Sequence, residues 1–201
     1  SESTGQQVVV DNRPGAGGTI GAELTAKATA DGYTVIMVSA SYAVNVSLYK
    51  LSFDPLKDLA PVTLVATVPF MLLAHPSLPA NNVKELIALA KAKPNSLNYA
   101  SSGNGGSPHL AGELPKLMTG IQMVHVPYKG GGPAVADVLA GQVQLIFNTI
   151  VQSLPLVKAG KLKALAIGSP RRTQAAPDIP TIAESGVAGY HVTNWFGILA
   201  P

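Results

Sequence analysis

The sequence predicts an α/β fold in which mostly parallel strands alternate with single helices. Two observations carry that prediction. Apolar or β-branched runs such as Tyr33 to Ser39, Met123 to Val126, Val143 to Asn148 and Leu162 to Ile167 alternate with stretches of helical periodicity. Glycine- and serine-bearing loops lead from strand ends into helix starts, the position at which open α/β sheets hold ligands. Composition agrees, since 201 residues with 47% hydrophobic and 12% charged content describe a globular chain able to bury a core.

Taken in order, Ser1 to Gly5 reads as the tail of a helix capped by Gly5, because Val8 to Val10 at once begins a β-branched strand. Asn12 to Gly18 turns the chain into a helix capped by Thr19, with Ile20, Leu24 and Ala28 on one face and Glu23 paired with Lys27. Asp31-Gly32 ends it, the strand Tyr33 to Ser39 follows, and Ala40 to Asn45 forms a small-residue loop running to a short piece that ends near Lys50. Ala60 to Val68 is extended, and Pro69, unable to donate to a central ladder, suggests a crossing or an edge before Phe70 to Ala74.

Asn81 or Asn82 caps a helix over Val83 to Lys93, striped by Val83, Leu86, Ile87 and Ala90. Leu97 to His109, LNYASSGNGGSPH, then reads as a short strand, a glycine- and serine-rich loop and a helix start running to Thr119. Such a loop leaves backbone N–H groups free to meet an anion, so Ser101 to Ser107 is read as half of a carboxylate site. Later elements are the strand Met123 to Val126, the loop Pro127 to Gly132, the helix Pro133 to Ala140, the strand Val143 to Asn148, a helix around Leu154 to Ala159 and the strand Leu162 to Ile167. A short helix Thr181 to Ser185 and a final strand Trp195 to Ala200 close the chain.

Several function classes find no support. The net charge is +3 with fourteen scattered Lys and Arg residues, not the clustered basic stripe of a nucleic-acid binder. No cysteine is present, which excludes disulfides and thiolate metal sites. No apolar run approaches the ~18–20 residues of a membrane span, and no leader sequence is visible. The glycines at 15, 17 and 21 miss the dinucleotide spacing, leaving a nucleotide-dependent enzyme as a distant alternative. His75, His109, His125 and His191 lack metal-ligand spacing, no nucleophile elbow surrounds a serine, and no carboxylate pair is arranged for acid/base work, so no catalytic or metal residue and no cofactor is assigned. His109 is read as capping or packing near the loop.

The motifs Asp11 to Gly18 (DNRPGAGG), Asp31 to Thr34 (DGYT), Lys57 to Val62 (KDLAPV), Tyr99 to Gly105 (YASSGNG), Val126 to Gly130 (VPYKG) and Asn194 to Gly197 (NWFG) resemble the Bug, or TctC-like, solute receptors of tripartite tricarboxylate transporters. The resemblance spans essentially the whole chain. It implies a type II periplasmic-binding-protein fold, with two Rossmann-like α/β domains joined by crossing strands. Domain 1 would hold residues 1–67 and 165–201, and domain 2 residues 68–164. It also implies a periplasmic protein, monomeric when intact, that captures a small carboxylate between its domains and presents the closed state to membrane permease subunits or, alternatively, to a sensor ectodomain.

The ligand-binding residues so expected are Ser101, Ser102, Gly103, Asn104, Gly105, Gly106 and Ser107 from one side, Ser39, Ala40, Ser41 and Tyr42 from the other, Tyr128 at the mouth, and Asn148 and Thr149 at the end of a strand. Many relatives carry an acid at the position of Asn148, so its absence here favours a ligand without an amine. Against the family pattern the chain reads as cut at both ends, leaving domain 1 incomplete and half of the donors missing. Pro115 also falls inside a predicted helix, where proline costs ~3 kcal/mol or more.

Overall fold

A computed structural model describes residues 5–201. The expected helix tail at residues 1–4 lies outside the described residues. The elements are α1 (Thr19–Ala26), β1 (Ile36–Ser39), α2 (Ser41–Leu48), β2 (Ala60–Ala74), α3 (Val83–Ala92), β3 (Asn98–Ser101), α4 (Ser107–Thr119), β4 (Val124–Pro127), α5 (Gly131–Leu139), β5 (Leu145–Thr149), α6 (Ile150–Lys158), β6 (Lys163–Ile167) and β7 (Thr193–Ala200).

The chain is organised by β2, one continuous strand of 15 residues. From Ala60 to Pro69 it pairs with β7, which also carries β1 on its other edge. From Phe70 onward it pairs instead with β5 and β6. Pro69, which has no N–H to give, marks the last residue of the β7 register, so the proline does mark a crossing. Among the named strands of the described residues parallel pairing links β3 with β4 and β5, a single parallel bridge joins Ile167 of β6 to Thr181, and the strands around β2 and β7 are antiparallel, so the sheet is mixed.

Burial follows the two-residue period of the strands. Phe70, Leu72, Leu145, Phe147 and Tyr99 face one apolar cluster beneath α3 and α4; Met71, Leu73, Ile146 and Ala100 face a second beneath α5 and α6. Helices therefore cover both faces of this part of the sheet. The α3 cap is resolved in favour of Asn82, whose Oδ1 accepts from Glu85 N–H at 2.9 Å while the Glu85 carboxylate accepts from Asn81 N–H at 2.7 Å.

Other expectations are corrected. Val8 to Val10 is exposed and forms no strand. Ile20 and Leu24 remain exposed as well; α1 buries Ala22 and Thr25 instead. Residues 181–185 make a turn in which Thr181 Oγ1 accepts from Glu184 N–H at 3.0 Å, not a helix. The helix after β5 begins at Ile150, ahead of its internal Pro155.

Pro115 sits inside an unbroken α4. The carbonyl it deprives of a helical donor is that of Ala111, and the buried Tyr190 hydroxyl supplies the missing hydrogen at 2.8 Å.

Candidate functional site

The loop between β3 and α4 is shaped by backbone needs before any ligand is considered. Gly103 and Gly105 have φ of +137° and +71°, and a Cβ on Gly105 would collide with the Leu48 side chain of α2. Ser101, fully buried at the end of β3, donates from Oγ to Gly103 O at 3.0 Å and faces Gly103 N–H at 3.2 Å. Gly105 N–H donates to His109 Nδ1 at 3.1 Å, and Gly106 N–H reaches Gly103 O.

Two elements from the opposite side meet this loop. Ser41, at the start of α2, accepts the Ser107 N–H on its Oγ at 3.0 Å and lies 3.0 Å from Ser107 Oγ. Tyr49 donates its hydroxyl to Asn104 O at 3.0 Å. The expectation that the glycine amides stand free is therefore corrected: those of Gly103, Gly105 and Gly106, and that of Ser107, already have protein acceptors.

A cavity of about 250 Å³ opens beside the loop. It is lined by Ser39 and Ser41, by Ser102, Ser107 and Pro108, by Gly131, by Asn148, Thr149 and Gln152, and by Phe70, Asn194 and Phe196. Four helices begin at it: α2 at Ser41, α4 at Ser107, α5 at Gly131 and α6 just after Thr149. None of these four starts has a hydrogen bond from the side chain of its own N-cap residue or an acidic residue in its first turn. Each helix start carries the positive end of a helix dipole, equivalent to roughly half a charge, although in α4 the Ser107 N–H is already taken by Ser41 Oγ. No Asp, Glu, Lys or Arg lines the cavity among the described residues, so the favourable field for an anion comes from backbone dipoles and neutral donors.

Asn148 adds a further signal. It is buried on β5, lines the cavity, and its Nδ2 has no hydrogen-bond partner among the described residues. A buried polar group without a partner is rare enough to call for a function.

Of the residues expected from sequence, Ser39, Ser41, Ser102, Ser107, Asn148 and Thr149 line the cavity. Ser101, Gly103, Asn104, Gly105 and Gly106 build the loop behind it. Ala40 N–H donates to Asn194 Oδ1 at 3.3 Å, which orients that amide. Tyr42 and Tyr128 turn away: their hydroxyls donate to Pro55 O and to Asp137 Oδ2, each at 2.7 Å, and the Asp137 carboxylate pushes the Tyr128 phenol up to about 12. Gln152, Phe70, Asn194 and Phe196 were not expected. The NWFG motif held the clue to the last two, since pairing of Ser39 with Phe196 brings β7 alongside the serine of β1. The first glycine turn packs on α2, where Asn45 Nδ2 donates to Gly17 O at 3.0 Å, and does not line the cavity.

Fold and cavity together are those of the periplasmic-binding-protein class. Residues 1–201 match the family described as "Tripartite tricarboxylate transporter family receptor", TctC, and the chain belongs to it. It is 42% identical over 203 residues to the protein BugT of Bordetella pertussis, covering all of this chain and 62% of that one. Among solved structures it resembles Rpa4515 of R. palustris with adipate, at TM-score 0.96 and 40% identity over all of this chain and 68% of that one. It also resembles the periplasmic binding protein BugD, at 0.92 and 37%, over 98% of this chain and 66% of that one. MatC of Rhodopseudomonas palustris with bound malate follows at 0.90 and 33%, over all of this chain and 69% of that one. The family is described as a receptor, and the neighbour BugD as a periplasmic binding protein. The chain spans about 60% of the length of the curated relatives it matches. No helix among the described residues is long and apolar enough to cross a membrane.

Proposed function

We propose that this chain forms the ligand-capturing part of an extracytoplasmic solute receptor, which binds a small di- or tricarboxylate and delivers it to the permease of a tripartite tricarboxylate transporter. The observation that carries the reading is the convergence of four helix starts, none with an acidic residue in its first turn, on one cavity free of charged side chains. Adipate in Rpa4515 and malate in MatC support the ligand class. In this reading residues 1–67 and 165–201 make one lobe and 68–164 the other, β2 and β7 cross between them, and Ser41 and Ser107 meet at the seam. Serine hydroxyls, the Asn148 and Gln152 amides and first-turn N–H groups then share the carboxylate oxygens as charge-assisted hydrogen bonds.

A thermal-shift titration tests it. Adipate or malate at a hundredfold excess over Kd stabilises a one-site receptor by about 2.7 kcal/mol, a shift of several degrees, whereas nicotinamide dinucleotides leave the melting point in place. Stabilisation by a dinucleotide and by no carboxylate would overturn the reading.

A further inference from the structure

Behind the loop lies a cluster of ionisable groups that ligand capture does not itself require. The imidazoles of His109, on α4, and His125, on β4, stack with ring centroids 3.9 Å apart and planes 20° from parallel. The Tyr99 ring of β3 stacks on His125 at 4.9 Å. Both imidazoles hold the loop: His125 Nε2 lies 2.6 Å from Ser101 Oγ, and His109 Nδ1 accepts the Gly105 N–H.

The hydrogen bond from Gly105 fixes the protonation state. A backbone N–H can only donate, so His109 Nδ1 must carry a lone pair, and the proton of the neutral ring sits on Nε2, 3.9 Å from Glu113 Oε1. An imidazolium carries hydrogen on both nitrogens and has no acceptor left for Gly105.

The groups facing the pair are the Tyr99 hydroxyl, which donates to Glu113 Oε1; Glu113 and Lys116 on α4, joined at 2.6 Å; and Ser101 on β3. Neighbouring β5, Leu145 to Thr149, contributes no ionisable side chain.

We propose that His109 and His125 are positioning residues that make the loop sensitive to acid: protonation of the pair withdraws the acceptor holding Gly105, loosens Ser101 to Ser107 and weakens carboxylate capture. Two like charges on rings in stacking contact repel strongly, so the pair takes up one proton at a time. Burial and the neighbouring His109 push His125 down to about 4, whereas His109, lowered chiefly by burial, is drawn back up by the Glu113 carboxylate. The first proton therefore goes to the ring that holds Gly105. The loop releases as pH falls below the ordinary imidazole value of about 6.5.

The part of this inference that concerns affinity rests on the carboxylate reading of the cavity; the loop clamp does not. The test separates them. Two-dimensional NMR of the ligand-free chain between about pH 7.5 and about pH 4 follows both imidazoles and the Gly103 and Gly105 amides. The Gly105 amide is expected to shift with the His109 midpoint. Calorimetry with adipate over the same range is expected to show an affinity loss of about tenfold, one hydrogen bond's worth, beyond the ligand's own ionisation.

A doubly substituted chain, His109→Asn with His125→Gln, places non-titrating amides near Nδ1 and Nε2, so the excess pH dependence disappears. A Gly105 amide indifferent to the His109 titration overturns the proposal, as does a substituted chain with the wild-type affinity profile. If adipate binds at no pH, the carboxylate reading falls and the amide titration still decides the clamp. If the substituted chain fails to fold, the wild-type titration decides alone.

Discussion

The Tyr190 hydroxyl donates a 2.8 Å hydrogen bond to the Ala111 carbonyl, the acceptor that Pro115 leaves without a partner one helical turn further along α4. A proline that looks like a fault in the helix is thus matched by a tyrosine 75 residues later in the chain. Tyr190→Phe keeps the buried ring and removes only the donor, so unfolding free energy is expected to drop by about 1–3 kcal/mol in urea. In a Pro115→Ala background the new N–H at 115 can reach Ala111, and the same Tyr190→Phe change should cost less. Additive effects in that double-mutant cycle would refute the compensation.

Gly112 brings α4 against β3. A Cβ at this position would lie only 2.3 Å from the edge of the Tyr99 ring, and both residues are buried. Gly112→Ala is therefore expected to destabilise by about 1–3 kcal/mol despite alanine's better helix propensity, because ring and helix must separate. A melting temperature equal to wild type would contradict this packing.

Asn148→Leu separates binding from stability. Removing an amide whose Nδ2 lacks a partner leaves the fold unchanged or more stable, whereas adipate affinity drops about tenfold or more. Paired denaturation and calorimetry measure the two, and loss of stability with retained affinity would place Asn148 in the core alone.

Thermal stability should fall on mild acidification. The native fold holds His125 at about 4 and His109 below its usual value, so the unfolded chain binds protons more readily. The histidine contribution is fully present above the unfolded value of about 6.5, declines as pH falls and levels off below about 4. Glu113, held low by Lys116 and the Tyr99 hydroxyl against the opposing effect of burial, adds a second loss only at lower pH. His125→Gln is expected to flatten the upper part of a melting-temperature profile and leave the lower part.

Periodicity made the covered half of the fold legible. Val83, Leu86 and Ala90 face the core as their spacing predicts, and Asn82 with Glu85 marks the start of α3. The same reasoning failed at Val8 to Val10, because β-branched residues prefer a strand only where a neighbouring strand and a face to bury are present. Ile20 and Leu24 failed alike: an apolar stripe predicts burial only where something packs against it.

The site was legible where chemistry follows local chain shape, as with the glycine backbone of 103 and 105 and the serines beside it. It was illegible where two distant segments meet. Nothing in the sequence sets His109 against His125, since their contact depends on β3 and β4 lying side by side beneath α4. The occupation of the Ser107 amide by Ser41, 66 residues away, was hidden for the same reason.

Of the 15 residues of β2, Ala60 to Pro69 belong to the ladder with β7, which carries β1 on its other edge, and Phe70 to Ala74 to the ladder with β5 and β6. Melting either ladder frees one end of the same unbroken strand and so loosens the anchor of the other. The same strand is also a lever: its backbone runs from Ala60, through register shifts at Pro61/Thr63 and Leu64/Ala66, to Met71, opposite Asn148 beside the cavity.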